Sequence, residues 1–210
     1  MCGRYIDPNL RGTEFELSEI KIDPFPRRFN IKPTQEVYIL WDGELSCARW
    51  GLIPNWHKGT LKDWRAATIN ARIEEAASKP SFRGAWRYGR CLIPAGGYYE
   101  WTGERSPKQP HFFSSAGNEE TMWFAGLMSV WNDLRTCAIM TRAANDTVEP
   151  IHDRMPVILS ADERDAWLAG SSDPKLGAGY RVKHHPVARF GISDDRDGLI
   201  ELLPVSWTAG

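Results

Sequence analysis

The amino-acid sequence predicts an α+β fold in which a mostly antiparallel, curved or barrel-like sheet carries a few flanking helices. Three observations support this interpretation. Short runs rich in aromatic and β-branched residues alternate with turn-forming residues, proline and glycine interrupt the chain throughout, and helix signals are few. No long polar linker and no internal repeat divides the chain, so residues 1–210 are expected to form a single domain.

Five runs have the composition of β-strands, because they combine apolar, aromatic and β-branched residues between turn signals. They are Val37–Leu40, Cys47–Trp50, Gly97–Trp101, Met122–Val130 and Thr136–Thr141. Four further segments are predicted to be helical. Two of them begin after a Ser or Thr that is followed three residues later by Glu, which is the spacing of a capping box. The predicted helices are Glu14–Ile20, Ala71–Ala77, Ser81–Trp86 and Ala161–Leu168.

Composition excludes several classes of protein. No apolar run reaches the roughly 18 residues that a membrane-spanning helix needs, and the N-terminus lacks the basic and apolar regions of a signal peptide. The four cysteines are far apart and lack the spacing of a zinc site, and a net charge of −1 argues against a protein that coats nucleic acid by bulk charge. We therefore expect an intracellular protein without a metal or cofactor.

Cys2 directly follows Met1, and a small residue at this position favours removal of the methionine. Removal would place a free α-amine and a thiol on one residue. Both groups titrate within about two pH units of neutrality, so both nucleophilic forms coexist there. An aldehyde that reacts with the amine to give a Schiff base is then closed by the sulfur into a thiazolidine ring. The alternative is that Cys2 is a small apolar residue without chemistry.

Three polar groups occur in segments whose composition indicates chemistry. Asn70 offers amide donors and an acceptor, and Arg72 can bind a phosphate; the alternative is a helix cap beside a surface arginine. Glu100 follows a glycine turn among aromatic residues, where an apolar setting raises a carboxyl pKa and suits proton transfer, unless it pairs with a buried arginine. His152 lies beside Arg154 in a proline-bracketed loop and can carry protons, although an isolated histidine is more often structural.

The sequence contains ten tryptophans, several of them in loops beside proline, arginine or asparagine. Trp50 and Trp56 bracket one such loop. Core packing is the ordinary role of a tryptophan, but aromatic rings beside cations also hold single-stranded nucleic acid by stacking on its bases. Between Lys79 and Lys108 basic residues outnumber acidic ones, which indicates either a nucleic-acid-binding patch or a solvated face.

Seven blocks of this sequence together form a recognisable pattern. They are Met1–Tyr5, Phe29–Gln35, Trp50–Pro54, Ile69–Arg72, Lys79–Arg83, Arg90–Trp101 and Ile151–Leu159. In this order they resemble the SOS response-associated peptidase family of abasic-site-processing proteins. The resemblance extends from residue 2 to about residue 168, and so many ordered blocks are not explained by chance. Lys32 departs from the family pattern, which has a small residue there.

The resemblance implies that the mature chain begins at Cys2, whose amine and thiol capture the ring-opened aldehyde of an abasic site in single-stranded DNA. Carried over position by position, Asn70 would orient the Cys2 adduct, Glu100 would shuttle protons and His152 would assist opening of the sugar ring. Family members are also expected to act as lyases, because a Schiff base acidifies the neighbouring carbon and permits β-elimination. Ring closure by the sulfur competes with that cleavage.

The resemblance also implies how DNA is held. Arg4, Arg72 and Arg154 would bind the phosphates that flank the abasic site, while Trp50 and Pro33 would form the wall on which adjacent bases stack. The expected partner is single-stranded DNA that contains abasic sites. The protein is expected to bind it as a monomer in the cytoplasm, and to associate with the nucleoid when the DNA is damaged.

Two other functions stay open at the level of sequence. A cysteine peptidase would use Cys2 as nucleophile and His152 as base. It could work with a blocked N-terminus, whereas capture through a thiazolidine could not. A non-catalytic single-strand-binding module would use the tryptophans and arginines alone, with Cys2 incidental. We expect Met1 to be removed either by the protein itself, as its one peptidase step, or by an aminopeptidase.

Overall fold

The computed structural model describes residues 2–8, 27–103, 107–201 and 203. Strands dominate this part of the chain, which confirms the predicted α+β class. The strands are β1 (Arg4–Ile6), β2 (Glu36–Trp41), β3 (Glu44–Trp50), β4 (Asn70–Arg72), β5 (Arg90–Ala95), β6 (Gly97–Thr102), β7 (Gln109–Ser115), β8 (Met122–Trp131), β9 (Leu134–Ala143), β10 (Arg154–Pro156) and β11 (Val182–Pro186). The helical segments are α1 (Arg83–Tyr88), α2 (Ala161–Leu168) and the 3₁₀ turn Asp197–Ile200.

A closed barrel forms the centre of the fold. Its strands follow the order β9–β3–β2–β5–β8, and β8 pairs with β9 to complete the ring. Most neighbouring strands are antiparallel, whereas β3 and β4 run parallel to β9. Asp42 and Gly43 both have positive φ in the turn between β2 and β3, and this geometry matches the twist of the paired strands. The prediction of a barrel-like sheet is confirmed.

A second sheet, with the strand order β1–β6–β7–β11, packs its aromatic residues against the barrel. Tyr5 of β1 contacts Trp50 edge-on at a ring-centroid distance of 5.2 Å. Tyr98 of β6 contacts Phe124 of the barrel at 6.2 Å, also edge-on. The two sheets therefore share one core, and this shared core brings the first residues of the chain against the barrel.

The barrel wall carries apolar side chains on both faces. Cys91 and Ile93 of β5 join the cluster that is shared with the second sheet, while Leu92 between them joins a second cluster, as the alternation along a strand requires. Helix α2 covers this second cluster with Trp167, whose indole N–H donates a 3.0 Å hydrogen bond to the Cys91 carbonyl. Burial of apolar side chains on both faces is the main driving force for this arrangement.

Three of the four predicted helices fall on described residues. Helix α2 has the predicted bounds, and the Glu163 carboxylate accepts 3.0 Å hydrogen bonds from the N–H and the hydroxyl of Ser160. The helix predicted at 81–86 is confirmed as α1, shifted by two residues. The predicted helix Glu14–Ile20 lies outside the described residues. None of the helices in the described ranges has the length and apolarity needed to cross a membrane.

The prediction of a helix at Ala71–Ala77 is wrong. The chain from Asn70 to Arg72 instead forms β4, a parallel partner of β9. Turns follow it, and the Ala76 N–H donates a 2.9 Å hydrogen bond to the Arg72 carbonyl. The helix-forming residues make isolated turns, because pairing of β4 with the barrel fixes the chain that precedes them and overrides local propensity.

Candidate active site

Cys2 lies immediately before β1, inside the core that the two sheets share. Its side chain is fully buried, and the thiol donates a long hydrogen bond of 3.8 Å to the Arg4 carbonyl. Burial raises the pKa of the Cys2 thiol far above its usual range, and the Glu100 carboxylate raises it further. A reaction through this sulfur therefore needs a proton acceptor.

Asn70 holds the backbone of Cys2. Strand β4 places Asn70 opposite Ile139 of β9, and its Nδ2 donates a buried 2.8 Å hydrogen bond to the Cys2 carbonyl. The Oδ1 atom of Asn70 is also buried and has no hydrogen-bond partner among the described residues. Asn70 thus combines a donor that orients Cys2 with an acceptor that is available to a bound group.

Strand β6 brings Glu100 to the same region. The register of β1 and β6 pairs Tyr5 with Tyr98, and Glu100 lies two residues further along β6, on the same face of the strand. Glu100 is buried, and burial raises the pKa of its carboxyl group above the ordinary value. A carboxyl group whose pKa moves towards neutrality can both donate and accept protons there.

His152 follows a tight turn, in which its backbone N–H donates a 2.9 Å hydrogen bond to the Val148 carbonyl. Its ring Nδ1 lies 3.0 Å from the backbone nitrogen of Arg154 and 2.8 Å from Oδ1 of Asp153. A neutral Nδ1 accepts from Arg154, whereas a protonated Nδ1 donates to Asp153, so each protonation state has a partner. Burial lowers the pKa of His152, which favours the neutral ring near neutral pH.

The structure brings the four predicted chemical residues together. Cys2 and Asn70 are joined by a hydrogen bond, and Glu100 is close enough to Cys2 to raise its pKa. The turn before His152 packs on the core cluster that contains Cys2. Two charged side chains influence the pKa of both Glu100 and His152, namely Lys108 and Asp153. The cluster thus contains a thiol, a side-chain amide and two titratable groups, which are residue types that nucleophilic catalysis uses.

The three predicted phosphate ligands differ in their surroundings. Arg4 Nη1 donates a 2.8 Å hydrogen bond to Oδ1 of Asn30, and burial lowers the pKa of Arg4. Arg72 at the end of β4 is exposed, with a weak 3.4 Å contact between its Nη1 and Oε1 of Glu75. Arg72 therefore offers the guanidinium that is more accessible to an incoming phosphate.

Arg154 is engaged in a bidentate ion pair with Glu74. Nη1 and Nη2 of Arg154 lie 2.9 and 2.8 Å from the two carboxylate oxygens, and Nη2 also donates to the Thr141 carbonyl at 2.8 Å. The Arg154 side chain is 11% exposed and that of Glu74 is 50% exposed. No spacing in the sequence relates Glu74 to Arg154, so the sequence gives no signal for this pair. A phosphate at Arg154 would compete with the Glu74 carboxylate.

The prediction that Trp50 stacks on DNA bases is corrected by its burial. Trp50 is 0% exposed, and its indole N–H donates a 2.9 Å hydrogen bond to the Ile69 carbonyl. A ring without exposed surface cannot stack on a base. The exposed ring of the same loop is Trp56, which is 52% exposed and packs edge-on against Trp64 at 5.8 Å. Pro33 is half-buried in the turn before β2.

One arginine of the basic run from Lys79 to Lys108 is engaged in packing. Arg90 lies between two indole rings, 4.3 Å from the centroid of Trp86 and 4.4 Å from that of Trp167. It also donates to the carbonyls of Trp86 and Ser171. Arg90 therefore joins α1 to α2 and serves packing rather than DNA binding.

The fold and the site together define a class of protein: a barrel whose core encloses the second residue, a cysteine, beside an amide and two proton-carrying side chains. The family described as SOS response associated peptidase (SRAP) matches residues 1–188. The chain belongs to this family, as the resemblance of its sequence blocks indicates.

Several relatives are named abasic site processing proteins. YoqW of Bacillus subtilis (strain 168) is 36% identical over 185 residues, which cover 80% of this chain and 80% of the relative. YedK of Escherichia coli (strain K12) is 29% identical over 230 residues, covering 98% of this chain and 100% of the relative. HMCES of Gallus gallus is 30% identical over 189 residues, covering 75% of this chain and 56% of the relative.

Solved structures share the fold. A protein from Bacteroides thetaiotaomicron superposes with a TM-score of 0.73 at 24% identity, covering 84% of this chain and 85% of that one. A protein from Bordetella bronchiseptica gives a TM-score of 0.73 at 22% identity, covering 90% and 100%. These TM-scores show a common architecture.

Proposed function

We propose that this protein processes abasic sites in single-stranded DNA by forming a covalent bond between Cys2 and the deoxyribose. The observation that carries the proposal is the buried 2.8 Å hydrogen bond from Asn70 to the Cys2 carbonyl, which fixes residue 2 near Glu100. Relatives at 29–36% identity are named abasic site processing proteins. Removal of Met1 would place a free amine and a thiol on this fixed residue.

The first stage forms a Schiff base. Neutral His152 accepts the proton of the sugar's C1′ hydroxyl and returns it to the ring oxygen as the ring opens. The Cys2 α-amine then attacks the C1′ aldehyde. The carbinolamine takes a proton from protonated Glu100 and loses water, which leaves an iminium ion and a Glu100 carboxylate. The raised pKa of Glu100 keeps its protonated form available for this step.

The second stage closes the thiazolidine ring. The Glu100 carboxylate accepts the thiol proton, the sulfur bonds to C1′, and the C=N π electrons return to nitrogen. A nearby proton acceptor is needed because burial keeps the Cys2 thiol protonated. The competing lyase reaction removes a proton from C2′ of the iminium ion and expels the 3′ phosphate by β-elimination.

The DNA strand is proposed to lie across the exposed side of this cluster, bound by one copy of the protein. Arg72 and Arg4 would hold the flanking phosphates, and Arg154 would join them when a phosphate replaces the Glu74 carboxylate. The exposed ring of Trp56, rather than the buried ring of Trp50, is the surface that can stack on a base.

A cysteine peptidase that uses Cys2 as nucleophile and His152 as base is the alternative. One observation favours aldehyde capture. Burial raises the pKa of the Cys2 thiol, whereas nucleophilic thiols are activated by a lowered pKa. A peptidase step restricted to removal of Met1 is compatible with capture.

The test uses protein whose free N-terminal Cys2 is confirmed by mass spectrometry. Wild type, Cys2→Ala and Cys2→Ser are incubated with a single-stranded oligonucleotide that bears one abasic site, beside the same oligonucleotide without it. Denaturing gels then separate crosslinked from free DNA. Cys2→Ser keeps the amine and loses the sulfur, so it separates Schiff-base formation from ring closure.

We expect a heat-stable shifted band only for wild type on abasic DNA. Cys2→Ser should give a shifted band only after borohydride reduction, because its Schiff base cannot close into a thiazolidine. No shifted band for wild type with a confirmed free N-terminus would refute capture and favour the peptidase. Cys2→Ala also keeps the α-amine, so an equal heat-stable band for this variant would show that the Cys2 sulfur does not form the stable bond.

A further inference from the structure

Packing explains the position of the Tyr98 ring but not the presence of its hydroxyl group. On β6 it pairs with Tyr5 of β1, its ring stacks on Phe113 at a centroid distance of 4.8 Å, and it contacts Phe124 edge-on at 6.2 Å. These contacts hold the ring on several sides. A phenylalanine would satisfy all of them, so the hydroxyl is the group that needs a reason.

The hydroxyl of Tyr98 is buried and makes no hydrogen bond within the described part of the chain. The next residue shows the contrast. The hydroxyl of Tyr99 donates a buried 2.9 Å hydrogen bond to the Phe29 carbonyl. Burying a hydroxyl without a partner destabilises a fold. This cost is offset if the Tyr98 hydroxyl gains a hydrogen-bond partner during the reaction.

The neighbours of Tyr98 identify this partner. Cys2 and Tyr98 belong to the same core cluster, and Glu100 follows two residues later on the same face of β6. Burial raises the pKa of Tyr98 well above its usual range, and negative charge on Cys2 or Glu100 raises it further. The phenol stays protonated and is therefore a hydrogen-bond donor. In the reaction proposed above, the Cys2 thiol of the same cluster becomes anionic during ring closure.

We propose that the Tyr98 hydroxyl donates a hydrogen bond to the Cys2 sulfur as the thiolate forms, which makes Tyr98 a further catalytic residue. The proposal rests on the function proposed above. The thiol proton passes to the Glu100 carboxylate, the sulfur bonds to C1′ and the C=N electron pair returns to nitrogen. The Tyr98 proton stays on its own oxygen. Its hydrogen bond stabilises an anion that a buried apolar setting otherwise disfavours.

The test compares wild type, Tyr98→Phe and the matched control Tyr99→Phe, all with a free N-terminal Cys2, on one abasic oligonucleotide. Borohydride added early traps all Schiff base, while heating without reduction leaves only the thiazolidine crosslink. Both rates are measured from mildly acidic to alkaline pH. Thermal unfolding of the three proteins is recorded in parallel, because it separates a loss of structure from a loss of chemistry.

We expect Tyr98→Phe to form heat-stable crosslinks about tenfold more slowly, as for the loss of one hydrogen bond to a developing charge. Borohydride trapping should proceed at the wild-type rate, and strand cleavage should increase relative to crosslinking. The deficit should shrink at alkaline pH, where the thiolate forms more readily. Tyr98→Phe should melt no lower than wild type, whereas Tyr99→Phe should melt lower and crosslink normally.

Each other outcome overturns the inference. If Tyr98→Phe forms heat-stable crosslinks as fast as wild type, the hydroxyl does not assist ring closure. The proposed function would still stand, because the wild-type protein would still crosslink. If borohydride trapping in Tyr98→Phe falls as much as heat-stable crosslinking, Tyr98 acts at or before Schiff-base formation and not in ring closure. Absence of any crosslink in wild type would refute the proposed function itself, and this inference with it.

Discussion

The side-chain amide of Asn70 donates a buried 2.8 Å hydrogen bond to the backbone carbonyl of Cys2, across 68 positions of sequence. Strand β4, which carries Asn70, is itself paired with β9 of the barrel. The first residues of a domain are poorly ordered unless other elements hold them. The position of Cys2 therefore depends on a side chain that the barrel fixes, and this dependence can be tested directly.

Asn70→Asp keeps the size of the side chain but replaces the donor with an acceptor, which would face the Cys2 carbonyl. We expect the initial rate of crosslinking to abasic DNA to fall at least about tenfold, because residue 2 loses its fixed orientation. Loss of a buried hydrogen bond should lower the free energy of unfolding by about 1–3 kcal/mol. Gel assays and chemical denaturation measure the two effects.

Asn118→Asp is the control, since it makes the same change at an exposed asparagine. Both its crosslinking rate and its unfolding free energy should match wild type. A destabilised Asn70→Asp that still crosslinks at the wild-type rate would restrict Asn70 to a structural role.

Glu100→Gln tests the raised pKa of the buried carboxyl group. Because the pKa is higher in the folded state, the folded protein binds this proton more tightly than the unfolded chain. The resulting stability is present in acid and is lost as the pH rises through the folded-state pKa. Glutamine does not ionise, so Glu100→Gln should melt higher than wild type at alkaline pH. The difference should vanish in acid, and crosslinking should be slower.

Glu119→Gln provides a control of opposite sign. The hydrogen bond from the Ser115 hydroxyl, 2.6 Å long, lowers the pKa of Glu119. Its stability contribution is present above the ordinary carboxyl pKa and is lost in acid, so this variant should melt slightly lower than wild type near neutral pH. If Glu100→Gln also melts lower at alkaline pH, the buried carboxylate is stabilised and the proton shuttle loses its basis.

The sequence predicts the elements whose pattern is local. Five strand predictions fall within β2, β3, β6, β8 and β9, and the capping box before Ala161 gives α2 its correct start. The parallel strand β4 is missed because its partner β9 lies about 70 residues away and its own residues favour a helix. Strand β7, which begins Gln109-Pro110-His111, lacks a run of β-branched residues and is missed as well.

The predictability of the site follows the same division. Cys2 is a candidate because it occupies position 2, and Glu100 is a candidate because aromatic residues surround it. Both features are visible in the sequence. The burial of Trp50 and the ion pair between Arg154 and Glu74 depend on contacts between distant segments. Composition cannot distinguish a buried ring from an exposed one, which is why the sequence does not reveal that the Trp50 ring is inaccessible to a base.

Glu74→Gln tests whether Arg154 can bind a DNA phosphate when the competing Glu74 carboxylate is removed. Removing the carboxylate leaves the guanidinium without the partner that it now holds at 2.8–2.9 Å. We expect intact single-stranded DNA to bind a few-fold more tightly. The slope of log affinity against log salt should steepen by about 0.7, the value for one additional phosphate contact. Fluorescence anisotropy across a salt series measures both quantities.

Glu44→Gln is the matched control, because it removes one negative charge at the start of β3. Strand β3 pairs with the first residues of β9, whereas Arg154 of β10 pairs with Ala143 at the other end of β9. Glu44 is therefore distant from Arg154. A change there should leave the salt slope at its wild-type value. An unchanged slope in Glu74→Gln would show that Arg154 serves only the packing of β10.

Substitutions at Trp56 and Trp50 test whether the exposed ring, rather than the buried one, stacks on DNA bases. Trp56→Ala removes a ring that is 52% exposed, so affinity for intact single-stranded DNA should weaken by about 1–3 kcal/mol, the range for one stacked base, with little change in melting temperature. Trp50→Ala removes a fully buried ring that packs on Tyr5 at 5.2 Å and bonds to the Ile69 carbonyl, so unfolding should become easier by about 3–5 kcal/mol. Anisotropy and denaturation separate the two effects. Unchanged DNA affinity in a folded Trp56→Ala would move the stacking surface away from this loop.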